Sequence, residues 1–232
     1  MQSFKCTADI LVIMDATNST QRYIDQFKSH ALTMYEETIK ALKEKARIVD
    51  EMRVKVVVFR DLFVDQEKAI EESPIFVLPQ DAGKYKSFLE GVVAGGGGSL
   101  AESGLEAFAY AIQKMKWNSK GNKHRQIVLY YSDDAAHPFE KSLNGKDEYY
   151  PDNMPHNLDE LYDLIESKQS RLIRTNNFDI SSFRCFMFAP KEMYPYSEMD
   201  KWPGFTIINQ ERGTGLSNLQ FDVVTSAIAC SF

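Results

Sequence analysis

The chain has 232 residues, 44% of them hydrophobic, and its 33 acidic residues outnumber 27 lysines and arginines to give a formal net charge of −6. This size suits one domain with a sizeable core. Lysines and arginines are scattered rather than clustered, which argues against nucleic acid as a partner. No apolar run approaches the length of a membrane-spanning segment, which argues against a membrane protein. The three cysteines, Cys6, Cys185 and Cys230, are too dispersed for a disulfide framework, which favours a reducing compartment and predicts a cytoplasmic protein.

The first predicted element is a buried strand from Ile10 to Met14, and it is followed by Asp15, Thr17 and Ser19. A continuous apolar run is typical of a central strand in a parallel sheet, and such sheets bind ligands at their carboxyl edge. Carboxylate and hydroxyl oxygens suit magnesium, manganese or calcium better than zinc. The three side chains are therefore candidate cation ligands. An equally good interpretation is that Asp15 and Ser19 cap the following helix, as Asp and Ser commonly do.

Helical and extended patterns then alternate along the chain. Apolar positions from Ile24 to Val49 recur every three or four residues and predict a long amphipathic helix. Further strands are predicted at 52–63, 75–78, 125–132, 183–189 and 205–209, and further helices at 82–94, around 105–115, at 158–166 and at 217–229. This alternation predicts an α/β fold with a Rossmann-like, doubly wound, mostly parallel central sheet, helices on both faces and a short antiparallel edge strand.

Two more polar segments are expected at the same edge of the sheet. A tetraglycine precedes Ser99 and Glu102 at the start of a helix, and the strand 125–132 is followed by Asp133, Asp134 and His137. Three loops thus converge where the chain direction switches between two central strands, which is where ligands bind in this class of sheet. Carboxylates crowded there repel one another unless a cation neutralises them.

The first and third segments resemble the metal-ion-dependent adhesion site of von Willebrand factor type A (vWA) domains. Asp15-Ala-Thr17-Asn-Ser19 matches the Asp-x-Ser-x-Ser motif, with Thr in place of the first Ser. The family's hydrophobic strand followed by Thr-Asp-Ala and then His resembles the segment from Tyr131 to His137. The four-residue step to the histidine selects Asp133 as the metal-site acid, with Asp134 as the alternative.

The second segment resembles the Asp-x-Pro-Glu-x-Gly motif, which precedes an apolar helix in integrin beta chains and many bacterial members. On that match Glu102 stands for the metal-site acid, while Ser99 and Ala101 depart from the usual Asp and Pro. Many other members place a threonine in this loop, so Ser99 or Ser103 is an alternative contributor. The resemblance covers about residues 8–230 and predicts a single vWA-like domain over residues 1–232.

The resemblance implies that Thr17 and Ser19 bind a metal directly, and that Asp15 and Asp133 act directly or through water. The implied cofactor is Mg²⁺, with Mn²⁺ or Ca²⁺ as alternatives. In this family a carboxylate of a protein partner, from Asp or Glu, fills the open coordination position. The implied function is metal-dependent protein binding of an adaptor or adhesion type, and the protein is not expected to be an enzyme.

Residues around this edge are candidates for contact with the partner. The long loop 138–156 follows the strand that ends at Asp133 and carries Tyr149 and Tyr150, a residue type favoured at interfaces. We predict that these tyrosines contact the partner together with Ser99, Asp134 and His137. Packing of the loop onto the body of the domain would account for the tyrosines equally well.

Two other interpretations fit parts of the same pattern. Asp15-Ala-Thr17 and Asp133-Asp134 also resemble the acids of haloacid dehalogenase-like, magnesium-dependent phosphatases, in which Asp15 would be the phosphorylated nucleophile. That interpretation leaves Ser19 and Glu102 unexplained. The tetraglycine could cradle a phosphate at a helix N-terminus, but it lacks the lysine of a P-loop.

Overall fold

A computed structural model describes residues 6–98, 101–118, 121–139, 148–167, 170–216 and 221–232. Its strands are β1 (Cys6–Asp15), β2 (Glu51–Phe59), β3 (Ile70–Glu72), β4 (Phe76–Leu78), β5 (Ala101–Glu102), β6 (Lys123–Tyr131), β7 (Ala135–Ala136), β8 (Phe183–Ala189) and β9 (Phe205–Asn209). Its helices are α1 (Gln21–Glu44), α2 (Leu62–Asp65), α3 (Ala82–Gly91), α4 (Gly104–Lys114), α5 (Leu158–Glu166), α6 (Arg171–Asn176), α7 (Tyr196–Met199) and α8 (Phe221–Cys230).

The central sheet contains seven strands in the order β3-β2-β1-β6-β8-β9, with β4 also paired to β2. Five neighbouring strands run parallel, namely β2, β1, β6, β8 and β9. The other two, β3 and β4, pair with β2 in the antiparallel direction. The predicted mostly parallel α/β fold with a short antiparallel edge strand is confirmed. A separate pair, β5 with β7, is also parallel.

Every residue of β1 is buried, because this strand lies in the middle of the sheet between two layers of helices. Its side chains alternate between the layers: Val12 belongs to an apolar cluster with α1, α3 and α8, and Ile13 to a second cluster with α4, α5 and α6. This two-sided burial explains the continuous apolar run in the sequence. Helices therefore cover both faces of the sheet.

Chain direction switches between β1 and β6. From β1 the chain crosses through α1 to β2 on one side, and from β6 it continues to β8 and β9 on the other. The register pairs Met14 with Val58 in β2 and with Tyr131 in β6, so the carboxyl ends of all three strands reach the same edge. A crevice at this edge is the expected ligand site of an open α/β sheet.

Some predicted boundaries differ from the observed ones. The predicted helix 82–94 ends at Gly91, and the second strand ends at Phe59 because Asp61 caps α2 by accepting a hydrogen bond from the Phe63 amide at 2.8 Å. The predicted helix 217–229 is seen as α8, and residues 217–220 lie outside the described ranges. The short strands β3, β5 and β7 had no counterpart in the sequence prediction.

Candidate metal centre

The loop after β1 folds tightly around the carboxylate of Asp15. The amide and the hydroxyl of Thr17 donate to Asp15 Oδ1 at 2.8 and 2.7 Å, and the hydroxyl of Thr20 donates to the Asp15 carbonyl at 3.0 Å. The helical turns that begin at Asn18 and Gln21 have no side-chain cap bond at Thr17 or Thr20. The capping positions before the two turns are held by Thr17 and Thr20, so neither Asp15 nor Ser19 caps α1.

Hydroxyl groups connect this loop to the end of β6. Ser19 Oγ donates to Asp133 Oδ1 at 3.2 Å, and Ser132 Oγ donates to Asp15 Oδ2 at 3.3 Å. The hydroxyls of Thr17 and Ser19 are 3.3 Å apart. Four of the five predicted metal ligands thus lie together, at the point where the chain direction switches.

Glu102, the fifth predicted ligand, is brought to the same place by the small β5–β7 sheet. The His137 amide donates to the Glu102 carbonyl at 2.9 Å, which ties the glycine loop to the loop after β6. A Cβ at Gly97, whose φ is +74°, would stand 2.9 Å from both Glu102 Oε1 and the Thr17 methyl group. Glycine is needed there because the backbone approaches both side chains closely.

Burial and mutual repulsion raise the pKa of two of these acids. Asp15 is fully buried, and this burial, with the nearby Asp133 carboxylate, raises its pKa to about 7 against the lowering effect of the Thr17 hydrogen bonds. Burial also raises the pKa of Glu102 to about 9, with further contributions from Asp15, Asp61 and other carboxylates. Glu102 Oε2 is buried and has no hydrogen-bond partner among the described residues. Among the described residues, no lysine or arginine forms an ion pair with Asp15, Glu102 or Asp133, so the negative charge of these carboxylates is not balanced by a cationic side chain.

The opposite edge of the sheet also carries a buried acid, Asp9, and its charge is balanced within the chain. Asp9 accepts hydrogen bonds from two guanidinium nitrogens of Arg53, both at 2.7 Å, and one from the Asn118 amide. Asp15, Glu102 and Asp133 form no such ion pair with a lysine or arginine in the described part of the chain. The two edges therefore differ in charge balance.

The predicted partner-contacting residues occupy varied positions. Asp134 forms an ion pair with Arg212 at 2.9 Å, and His137 is buried with its Nε2 3.6 Å from Asp61 Oδ2. Tyr149 is exposed, whereas the hydroxyl of half-buried Tyr150 donates to Glu106 Oε1 at 3.4 Å. Ser99 lies outside the described residues.

The loop after β9 also reaches the site, although no residue of this loop was predicted to belong to it. The amides of Gly213 and Gly215 donate to the Asp133 carbonyl and to Asp133 Oδ2, both at 2.8 Å. The Gly213-Thr-Gly215 triplet, which begins four residues after the predicted strand 205–209, was an available signal, because glycines in a loop at such an edge often permit close backbone approach. Ser132, immediately before Asp133, was also missed.

The donor set is made of oxygen atoms, which is the chemistry that Mg²⁺, Mn²⁺ and Ca²⁺ prefer. Within the described ranges, no group of three or more His, Cys, Asp or Glu side chains is arranged to hold a metal ion. A cation at this edge would therefore depend on the hydroxyls of Thr17 and Ser19 and on water, in addition to the acids. Orphaned Glu102 Oε2 and the raised pKa of Asp15 fit a site that takes up positive charge.

No known family model and no curated protein matches the chain. Among solved structures, proximal thread matrix protein 1 from the mussel byssus matches 97% of this chain and 47% of its own, with 11% identity and a TM-score of 0.50. A second crystal form of the same mussel protein matches 98% of this chain and 49% of its own, with 13% identity and a TM-score of 0.47. The pilus adhesin SpaC from Lactobacillus rhamnosus GG, in an open conformation, matches 59% of this chain and 15% of its own, with 12% identity and a TM-score of 0.40.

The chain thus spans about half the length of the mussel protein and a smaller part of the adhesin. At such identities the similarity concerns the fold alone. Of the helices in the described ranges, none combines the length and the apolar character needed to cross a membrane.

Proposed function

We propose that this chain is a vWA-like, metal-dependent protein-binding module that holds a divalent cation at the carboxyl edge of its sheet and engages an acidic side chain of a protein partner through it. One observation carries the proposal. Asp15, Glu102 and Asp133 converge with two hydroxyls at the switch point between β1 and β6, and no lysine or arginine of the described residues forms an ion pair with any of the three acids.

The physical reason is charge balance in a buried site. Burial and neighbouring carboxylates raise the pKa of Asp15 and Glu102, and a divalent cation would reverse both effects by favouring the charged forms. Mg²⁺ is the first choice, with Mn²⁺ or Ca²⁺ as alternatives. Thr17 and Ser19 would contribute hydroxyl oxygens, and the acids would contribute carboxylate oxygens or hold water. A cation that keeps an open position can accept a carboxylate from outside.

A binding role is favoured over phosphoryl transfer by the position of Asp15. Its side chain is fully buried, Oδ1 accepts two hydrogen bonds from Thr17, and Oδ2 accepts one from Ser132. A nucleophilic carboxylate must present an oxygen to the phosphorus atom of the substrate. The geometry of Asp15 therefore supports a role in holding the loop and the cation.

A cytoplasmic location is part of the proposal. All three cysteines are free thiols, and two of them, Cys6 and Cys185, are buried in the two apolar clusters. Free thiols persist in reducing compartments.

The test is thermal unfolding of EDTA-treated protein with increasing Mg²⁺, Mn²⁺ or Ca²⁺. Ligand that binds only the folded state raises the unfolding temperature in a saturable manner. We expect this rise in the native chain and its loss in Asp15→Ala and in Ser19→Ala. Ser19→Ala keeps the hydrogen bonds around Asp15, so it tests the metal site even if Asp15→Ala folds poorly.

The matched control is Glu36→Gln, which removes one negative charge from an exposed position of α1. It should keep the full metal-induced rise. If no cation stabilises the native chain, or if all variants respond alike, the cation is not bound at this edge and the proposal is wrong.

A further inference from the structure

The loop after β9 holds an arginine beside the candidate metal centre. Two hydrogen bonds fix its backbone to Asp133, from the amides of Gly213 and Gly215. A Cβ at Gly215 would stand only 2.2 Å from the Ser19 carbonyl oxygen, so the loop also lies directly against the first metal-site segment. Arg212 is therefore attached to a part of the chain that cannot move away from the site without breaking these contacts.

The side chain of Arg212 is anchored by its inner nitrogen alone. Nε donates to Asp134 Oδ1 at 2.9 Å, and the same oxygen accepts the Ala135 amide at 2.7 Å, so the anchoring carboxylate is itself held in place. The Arg212 side chain is 44% exposed, against 18% for Asp134. Within the described ranges, its two terminal nitrogens have no acceptor. Four N–H donors of a fixed, exposed guanidinium are thus available to a ligand.

The position of this group has a chemical consequence. A guanidinium matches a carboxylate with two parallel hydrogen bonds, which a lysine cannot reproduce. Arg212 is hydrogen-bonded to Asp134, which directly follows the predicted metal ligand Asp133. The amide of neighbouring Gly213 donates to the Asp133 carbonyl, so the guanidinium is attached on both sides to the segment that carries Asp133. It is also the one arginine or lysine in the described part of the chain that forms an ion pair with an acid of the loop after β6.

We propose that Arg212 is a second recognition point for the partner, and that the partner segment presents two carboxylates close in sequence, one for the cation and one for the Arg212 guanidinium. This inference rests on the proposed metal-dependent function and adds to it the type of sequence that is bound. The bound segment would be an acidic pair, and Asp134 would position Arg212 rather than touch the partner.

The test uses fluorescein-labelled glycine-serine peptides and the full chain in saturating Mg²⁺. One peptide carries a single aspartate, and the others carry a second aspartate at successive positions on either side of the first. Fluorescence anisotropy measures binding to the native chain, to Arg212→Gln and to Arg212→Lys. Arg47→Gln is the matched control, because Arg47 is exposed near Cys6 at the start of β1, on the opposite edge of the sheet.

We expect at least one two-aspartate peptide to bind the native chain more tightly than the single-aspartate peptide. Arg212→Gln should weaken that peptide about tenfold, the size of one charge-assisted hydrogen bond, and leave the single-aspartate peptide unchanged. Arg212→Lys should recover part of the lost affinity, because lysine keeps the positive charge but cannot form the two parallel hydrogen bonds of a guanidinium. Arg47→Gln should change neither peptide.

Two results would overturn the inference while leaving the metal-dependent function in place. One is magnesium-dependent binding of the peptides that Arg212→Gln does not change. The other is an equal loss for single- and two-aspartate peptides, which would mean a general effect of charge. Absence of any magnesium-dependent binding to the native chain would overturn both proposals together.

Discussion

Ser19 Oγ donates a hydrogen bond to Asp133 Oδ1 at 3.2 Å, although 114 positions separate the two residues in the sequence. The bond joins the loop after β1 to the loop after β6, the two strands between which the chain direction switches. A hydroxyl that donates its proton to a carboxylate keeps its lone pairs for another contact. Ser19 is therefore already oriented by Asp133 in a way that leaves its oxygen able to bind a cation.

The raised pKa of Asp15 predicts an unusual pH dependence in the metal-free protein. Its folded-state pKa is about 7, against an ordinary value of 3.8. Between these values the folded protein keeps a proton on Asp15 that the unfolded chain has lost, so the contribution of Asp15 makes the free energy of unfolding fall as pH rises from about 4 to about 7. A pKa difference of this size corresponds to roughly 4 kcal/mol. The raised pKa of Glu102, about 9, continues the fall above pH 7.

Denaturant unfolding in EDTA across this pH range checks the prediction. Asp15→Asn carries no titrating group at this position, so its stability should fall less over the window, and it should be more stable than the native chain at the upper end. Saturating Mg²⁺ should flatten the slope in the native chain, because a bound cation favours the charged carboxylate. Identical slopes for the native chain and Asp15→Asn in EDTA would contradict the prediction.

The fold and part of the candidate site follow from local sequence patterns. β1 is buried on both faces, so its apolar run identifies a central strand, and the acid that ends it identifies the carboxyl edge. The same reasoning places Asp133 after β6. Both acids and the Thr17 and Ser19 hydroxyls are found together, because parallel neighbouring strands bring their carboxyl ends to one edge.

Other parts of the site depend on contacts between distant segments, which no local pattern encodes. The ion pair of Arg212 with Asp134 requires the loop after β9 to fold back over β6, and this path depends on close contact between Gly215 and Ser19. The approach of His137 to Asp61 links loops after β6 and β2. A single sequence offers residue types for such pairs but no distances.

Two consecutive tyrosines of β6, Tyr130 and Tyr131, allow the effect of a buried hydroxyl on stability to be compared with and without a hydrogen-bond partner in the described part of the chain. Tyr130 and Tyr131 point to opposite faces of the sheet, and both rings stack on phenylalanines, Phe59 and Phe188 respectively. The Tyr130 hydroxyl lies 3.2 Å from that of Tyr196, whereas the Tyr131 hydroxyl is buried without a partner among the described residues. A buried polar group without a partner destabilises the folded state.

We therefore expect Tyr131→Phe to leave the free energy of unfolding unchanged or to raise it by up to about 1 kcal/mol, and Tyr130→Phe to lower it by about 1 kcal/mol. Chemical denaturation of the two variants beside the native chain measures both values. Since each change removes one hydroxyl from the same strand, a larger loss in Tyr131→Phe would show that its hydroxyl makes a stabilising contact.

Gly215 and Gly213 offer a matched pair of substitutions in the loop that covers Asp133. Both have left-handed backbone conformations, with φ of +61° and +67°, so alanine at either position is strained by about 1 kcal/mol. A Cβ at Gly215 would stand 2.2 Å from the Ser19 carbonyl oxygen, whereas a Cβ at Gly213 meets nothing within 4 Å. Only Gly215→Ala must displace the loop after β1.

Gly215→Ala should therefore lower the free energy of unfolding by about 3 kcal/mol and Gly213→Ala by about 1 kcal/mol. Displacement of Ser19 and loss of the Gly215 hydrogen bond to Asp133 Oδ2 should also reduce the magnesium-induced rise in unfolding temperature, while Gly213→Ala keeps it. Denaturant unfolding in EDTA and thermal unfolding with Mg²⁺ measure the two effects separately. Equal effects of the two substitutions in both assays would mean that the contact between Gly215 and Ser19 does not hold the site together.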